Sequence, residues 1–323
     1  MSRAPAIGSQ HPLRRLVRRA DDLAARTRAP GAQRRLERGA PHQRALWAER
    51  AAQAPAVLGR LTAAAGPPAG PWEGYATVIA ALVAGGLPWD VLRRPVIQET
   101  MLVRGRRTLV GELDVLRAAH APAALRRLLA EDPAGCPPPA RDTPWTSPTA
   151  VHHLHHLTRF GRSTGADPFA LDVVVEWGGG YGGLARLLRR RGGPPPTHVI
   201  VDLPAVLALQ WVWLGTVLGP DAVVLLEPGA TPTAGKVSLT VPAGAALPLA
   251  PDLIVSTWGL SETPADARPL VAQQLGGARH VLLAGQRPDA LFPEADWPLD
   301  EAAGAGARRE PVEVLAGSEY AFR

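Results

Sequence analysis

The chain has 323 residues, 46% of them hydrophobic, and a formal net charge of +6. It is long enough for one large domain or two smaller ones with a buried core, and too apolar to be disordered throughout. No apolar run is long enough to span a bilayer (205–219 comes nearest, with Gln210 inside it), and a lone cysteine, Cys136, excludes an internal disulfide and fits a reducing cytoplasm.

Residues 1–45 are rich in arginine. Leu13, Leu16, Val17, Ala20 and Leu23 recur at helical spacing with Arg14, Arg15, Arg18 and Arg19 opposite, which predicts a solvated amphipathic helix. Asp21 and Asp22 interrupt the positive face, which argues against a targeting segment, and no secretory pattern is seen. Lys236 is the single lysine, and the arginines are scattered without interleaved aromatics, so no nucleic-acid partner is expected. Residues 46–150 read as a helical region: a loop at 66–71, a helix over 72–84 ending at Gly85-Gly86, and a helical stretch over 110–129. A proline-rich segment over 137–148 follows, and a helix then resumes over 149–160 through His152, His153, His155 and His156.

From Leu171 the pattern becomes alternating strands and helices. Strands are predicted at 171–176, 197–202, 222–227, 237–241, 252–257, 279–284 and 312–315, and helices at 183–191, 204–218 and 264–275. That alternation implies an α/β fold, a Rossmann-like parallel sheet over 151–323 behind an N-terminal helical region. Trp211 and Trp213 in the apolar helix are either core or a homo-oligomer interface.

At the head of this region, Val173-Val174-Val175-Glu176-Trp177-Gly178-Gly179-Gly180-Tyr181-Gly182-Gly183 is a strand, a glycine loop and a helix start, a place where a nucleotide-like ligand lies against bare backbone. Gly178, Gly180 and Gly183 fit a dinucleotide fingerprint. Glu176, Gly178, Gly180 and Gly182 fit equally the loop of a class I S-adenosylmethionine methyltransferase, and a sharp backbone turn alone also uses glycines. Glu176 closing the first strand favours the methyltransferase, since an acid there helps hold a methionine amino group; Asp202 ends the second strand, where either cofactor offers ribose hydroxyls.

The run 176–182, then Val201-Asp202-Leu203-Pro204, then Gln210 and Leu214, resembles the sugar O-methyltransferase family. Asp252-Leu253-Ile254-Val255-Ser256 and Leu260-Ser261-Glu262 are similar to its fourth strand and the segment behind it. The likeness spans about residues 149–285. It implies a class I fold, S-adenosylmethionine as cofactor and a sugar hydroxyl as acceptor. The four-histidine cluster and Trp177 depart from the family's pattern.

Methyl transfer to a hydroxyl needs partners held in line and a group to accept the hydroxyl proton. In an open α/β sheet the crevice lies at the carboxyl ends of the strands, which points to Glu176, Asp202, Ser256 and 258–262. Glu262 is a candidate base; Ser261-Glu262-Thr263-Pro264 also reads as a helix cap. His152, His153 and His156 are candidate bases too, against readings as packed helix face or, with an incomplete ligand set, a metal site. Arg159 is either a clamp for the methionine carboxylate or a surface arginine. Tyr181 either covers the cofactor or packs, and Leu203 is placed to touch the adenine. The expectation is a cytoplasmic S-adenosylmethionine-dependent methyltransferase acting on a small molecule, a sugar or sugar-bearing metabolite, with no metal, nucleic-acid or membrane partner. The alternatives are another natural-product hydroxyl or amine as acceptor, a nicotinamide oxidoreductase, and a non-catalytic cofactor-binding protein.

Overall fold

A computed structural model describes residues 40–65, 72–103, 106–140, 143–190, 192–242, 247–263, 268–286, 299–313, 315 and 317–323. The predicted amphipathic segment around Leu13–Leu23 lies outside these residues. Helices α1 (Pro41–Ala65), α2 (Trp72–Ala84), α3 (Pro95–Thr100), α4 (Arg106–Ala119), α5 (Pro122–Leu129) and α6 (Pro148–Thr164) precede the first strand. The single helix expected over 110–129 is two, because Pro122 has no amide to donate and starts a new helix at its first turn. Helix α6 begins at Ser147, whose hydroxyl accepts from the Ala150 amide at 3.1 Å.

The strands are β1 (Val173–Trp177), β2 (Thr197–Val201), β3 (Val223–Leu225), β4 (Val237–Thr240), β5 (Leu253–Thr257), β6 (His280–Gln286), β7 (Arg308–Pro311) and β8 (Ser318–Phe322). Between them run α7 (Gly183–Leu188), α8 (Pro204–Leu218), α9 (Arg268–Gly276) and α10 (Leu299–Ala303). Among the described residues they form one sheet in the order β3-β4-β2-β1-β5-β6-β8-β7. β1 is flanked in parallel by β2 (Val173 opposite Thr197) and β5 (Val174 opposite Leu253). β8 alone is reversed, antiparallel to both β6 and β7. The α/β Rossmann-like expectation holds. The strand expected over 312–315 is not formed: Val312, Glu313 and Leu315 lie in the connection between β7 and β8. Val312 has another use there, since it is buried and its amide reaches the Ser318 carbonyl.

Helix α8 is apolar all round because both its sides are covered, by the sheet and by α1 and α2. Trp213 is fully buried and donates to the Ala134 carbonyl at 3.0 Å. Trp211 lies under Arg50 of α1, whose guanidinium sits 3.8 Å from the ring centroid and whose Nε donates to the Trp211 carbonyl at 3.0 Å. Trp213 is therefore core, while Trp211 stays partly exposed. One apolar cluster joins Trp47, Leu61 and Ile79 of the N-terminal helices to Ile200, Val237 and Leu239 of the sheet. Farther along the same face of the sheet, α4 and α5 pack on α6, whose core reaches Val174, Val255 and Leu282. Arg186 of α7, fully buried, bonds Glu131 at 2.8 Å and Asp132 at 3.0 Å and anchors the segment after α5 to the helix behind the glycine loop.

The close approach of α1 to α8 depends on Gly215: a methyl group there would stand 2.1 Å from Arg50 Nε. Gly215→Ala is expected to displace the buried guanidinium and cost about 1–3 kcal/mol, an overpacking penalty. Denaturant titration checks it, and an unchanged midpoint would show that this contact is not tight.

Candidate active site

The loop after β1 turns by placing Gly178, Gly180 and Gly182 in the left-handed region, with φ of +73, +56 and +94°. Residues with a Cβ adopt that conformation only under strain, which is why glycines alternate here. The turn brings bare main chain against the loop after β5: a Cβ on Gly178 would meet Gly259 Cα at 2.9 Å. Gly180 faces Met101, just past α3, at 3.8 Å from an ideal Cβ position.

Two acids flank this loop. Glu176, on β1, is buried, and its Oε2 lies 2.9 Å from Nε2 of His198 on β2. Asp202 closes β2 and is partly buried. Its Oδ1 accepts from the Leu203 amide at 2.8 Å, its Oδ2 accepts from Gln210 Nε2 at 3.0 Å, and the Gly179 amide also bonds it. Gln210 Nε2 donates to the Gly180 carbonyl as well, at 2.8 Å, while its buried Oε1 has no partner. Asp202 and Gln210 thus brace the loop from α8. Loss of water around Asp202, with a further push from Glu176, raises its carboxyl to about 7, against the donors from Leu203, Gln210 and Gly179, which favour the anion. Leu203, half-buried at the start of α8, packs against the core beside it.

Several expected contacts fall elsewhere. Tyr181 is fully buried, edge-on to Trp213 at 4.8 Å, with burial pushing its phenol far up, so it packs and does not cover a ligand. The Ser256 hydroxyl donates to the Trp177 carbonyl and accepts from the Leu260 amide, both at 2.9 Å, so it clips the end of β1 to the loop after β5 and is itself buried. Arg159 turns to the C-terminal hairpin, where it pairs with Glu310 and Glu313.

Glu262 accepts from Trp72 Nε1 at 3.1 Å, bringing the start of α2 to the loop after β5. Trp72 and Tyr75 rings meet edge to face at 5.7 Å, and burial, then Glu99 and Glu262, push the Tyr75 phenol up. Residues 264–267, on which the helix-cap reading of Glu262 depends, lie outside the described residues. The helical region before residue 150 therefore contributes aromatic and acidic side chains beside the loop.

The histidines of α6 take different surroundings. His153 lies against Gly183 and Tyr181, with Nδ1 unpartnered; burial, then His152 and Arg186, pushes it down to about 3. His155 falls to about 3 as well, mainly by burial. His156 Nδ1 lies 2.7 Å from the Tyr320 hydroxyl, and burial followed by its histidine neighbours holds it well below the ordinary range. His152 Nδ1 is hydrogen-bonded to Glu112, a fully buried acid of α4. Trp258, at the carboxyl end of β5, lies 5.4 and 5.5 Å from the rings of His152 and His156 and carries a left-handed φ of +67°. No group of three or more histidine, cysteine or acidic side chains is arranged to hold a metal among the described residues. Sequence reasoning does not single out Glu112 or His198. The one signal for Glu112 is an acid on the face of α4 that also buries Leu113 and Leu116.

No family model matches the chain, and no curated protein matches it. Solved structures do. A magnesium protoporphyrin IX methyltransferase from Synechocystis, with bound S-adenosylhomocysteine, is 14% identical, covering 53% of this chain and 82% of its own at a TM-score of 0.36. A mitomycin 7-O-methyltransferase is 15% identical over 75% of this chain and 74% of its own, at 0.37. Human N-acetylserotonin methyltransferase, in complex with S-adenosylmethionine, is 13% identical over 98% of each chain, at 0.31. Likeness at that level transfers no residue's role and no ligand. No described helix is long and apolar enough to cross a membrane.

The brace on Asp202 is open to direct measurement. Gln210→Leu removes a donor that favours the carboxylate, so the Asp202 titration, expected near 7 in the parent chain, should move to higher pH. Carboxyl NMR across pH 4–9 reads it; an unmoved Asp202 would mean that Gln210 does not hold the anion.

Proposed function

We propose that the chain is an S-adenosylmethionine-dependent methyltransferase whose acceptor is a hydroxyl of a sugar or sugar-bearing small molecule. The observation that carries this reading is the bare glycine loop set between two carboxylates, Glu176 and Asp202. Two close acids suit a ligand that brings cationic groups and repel one that brings a pyrophosphate. The strand order supports the same choice. The dinucleotide-binding sheet runs 3-2-1-4-5-6 with parallel strands, whereas here a reversed β8 is inserted between β6 and β7.

The residues present fit such a cofactor. Gly178, Gly180 and Gly182 leave main chain uncovered by Cβ atoms, and Asp202 stays partly open. Glu176, held by His198, is placed for an ammonium group; Asp202 for ribose hydroxyls; and Leu203 for an adenine face. S-adenosylmethionine, when bound, supplies a methyl group on an already activated sulfonium carbon. What remains for the chain is to orient the acceptor, exclude water and take one proton.

Support for a sugar acceptor comes from the aromatic rings of Trp72 and Tyr75 beside Glu99 and Glu262, since sugars stack on aromatic faces and offer hydroxyls to carboxylates. The same two acids favour an acceptor that carries an amine, the second reading. The single cysteine, Cys136, is buried and forms no disulfide, which fits a reducing cytoplasm.

Calorimetry with S-adenosylhomocysteine and with NAD separates the cofactor classes: heat is expected with the first alone, and heat with NAD alone would reject the proposal. Glu176→Gln should weaken S-adenosylhomocysteine binding by about 10- to 100-fold, the ~1.5–3 kcal/mol of a charged hydrogen bond. A variant that folds and binds as tightly as the parent would remove Glu176 from the site. Transfer of labelled methyl across a panel of sugars and aminosugars then distinguishes the acceptor readings.

A further inference from the structure

The buried pair formed by Glu112 and His152 has no part in bracing the loop, yet it leaves two buried polar atoms without partners. Glu112 of α4 and His152 of α6 are 40 positions apart and both almost fully buried. The carboxylate bonds His152 Nδ1, while His152 Nε2 and Glu112 Oε2 are buried with no partner. His156 Nε2, on a ring whose centroid is 4.0 Å from that of His152, is also without one. A buried polar atom left without a partner destabilises the fold, so three of them side by side point to a use beyond packing. Beside them Trp258 holds a left-handed backbone, which a bulky residue keeps only where the surroundings enforce it.

The location ties this strain to the crevice. Trp258 follows directly on β5 at its carboxyl end, and the next residue, Gly259, abuts Gly178 of the glycine loop. The rings of His152 and His156 pack on Trp258 itself. The elements around His152 bring Glu112 from α4, His153, His155 and His156 from α6, and Tyr320 from β8.

We infer that His152 Nε2 accepts the proton of the acceptor hydroxyl, and that Glu112 is the positioning residue that fixes the ring for it. A carboxylate only accepts hydrogen bonds, so in neutral His152 the proton sits on Nδ1, facing Glu112, and Nε2 is left as a bare lone pair. As the acceptor oxygen bonds the methyl carbon, its O–H bond breaks, the proton passes to Nε2, and the C–S electron pair stays on sulfur. The imidazolium formed stands against Glu112, and the proton then leaves to water. His156 is turned to Tyr320, His153 to the loop and Glu262 to Trp72, so among the imidazoles of α6 His152 is the one hydrogen-bonded to a carboxylate, with its other nitrogen unpartnered.

The kinetic part of this inference rests on the methyltransferase reading; the tautomer does not. Nitrogen-15 correlation spectra of the histidine rings, assigned with His152→Asn, are expected to show His152 protonated at Nδ1 with a lone pair on Nε2. Glu112→Gln should change that pattern, because an acceptor-only carboxylate facing Nδ1 has been replaced by an amide that can also donate. In turnover, Glu112→Gln should lower kcat by about 10²-fold or more, within the range of lost base catalysis, and move the acid limb of the kcat profile to lower pH. Affinity for S-adenosylhomocysteine and KM for the acceptor should stay within about twofold, and Glu112→Asp should recover part of kcat. A merely structural pair would lower melting temperature without moving the acid limb. A ring protonated at Nε2 in the parent, or a Glu112→Gln chain with unchanged ring tautomer and kcat, overturns the inference. If Glu112→Gln does not fold, the parent tautomer and the Glu112→Asp profile still decide it. Failure to bind S-adenosylhomocysteine would sink the functional reading, and the ring spectra would still decide the tautomer by themselves.

Discussion

Asp202 is the point on which the site's geometry turns. One carboxylate accepts from the amides of Gly179 and Leu203 and from the side chain of Gln210, and so connects the end of β2, the start of α8 and the glycine loop. Three donors favour its charged form, yet loss of water and the nearby Glu176 outweigh them and lift its titration to about 7. A carboxyl held so near neutrality is poised between bracing and binding: ionised, it is a strong acceptor for a ligand's hydroxyls; protonated, it is a weak one. The loop above it can be bare because the support comes from below.

The N-terminal helices are part of the same construction. α1 and α2 lie on α8, the helix that supplies Gln210, and share an apolar core with β2 and β4. Arg50 is a desolvated cation within that contact, lowered to about 10 by burial, and it is tolerated because its face stacks on Trp211 and its Nε reaches a carbonyl. α2 continues to Trp72 and Glu262, and α4 delivers Glu112 to His152. The region before residue 150 therefore reaches the crevice from two sides, once through aromatic and acidic groups and once through a buried acid.

The parts of this arrangement that follow local rules are legible in the sequence. The β-branched run, the alternating glycines and the acid at each strand end predict β1, its loop and β2 within one or two residues, because turn chemistry and strand period are local. The apolar run 204–218 is a helix and 46–65 lies in the expected helical region, but no local pattern announces that α1 packs on α8. The hairpin of β7 and β8 is not legible, since Val312 and Leu315, the residues with strand character, serve its connection. Site roles set by partners far along the chain are not legible either. Arg159 meets Glu310 across 151 positions, Ser256 meets Trp177 across 79, and His152 meets Glu112 across 40. A residue's type at a strand end or on a helix face says what it can do; only the distant partner decides what it does.

Every functional step above requires that a nucleoside carrying cationic groups lie on the bare main chain between Glu176 and Asp202. A crystal structure with S-adenosylhomocysteine probes that placement without intermediaries. Density is expected along 178–182, with the ribose at Asp202 and the amino group at Glu176. A ligand bound elsewhere, or a loop that stays empty at saturating concentration, would refute it.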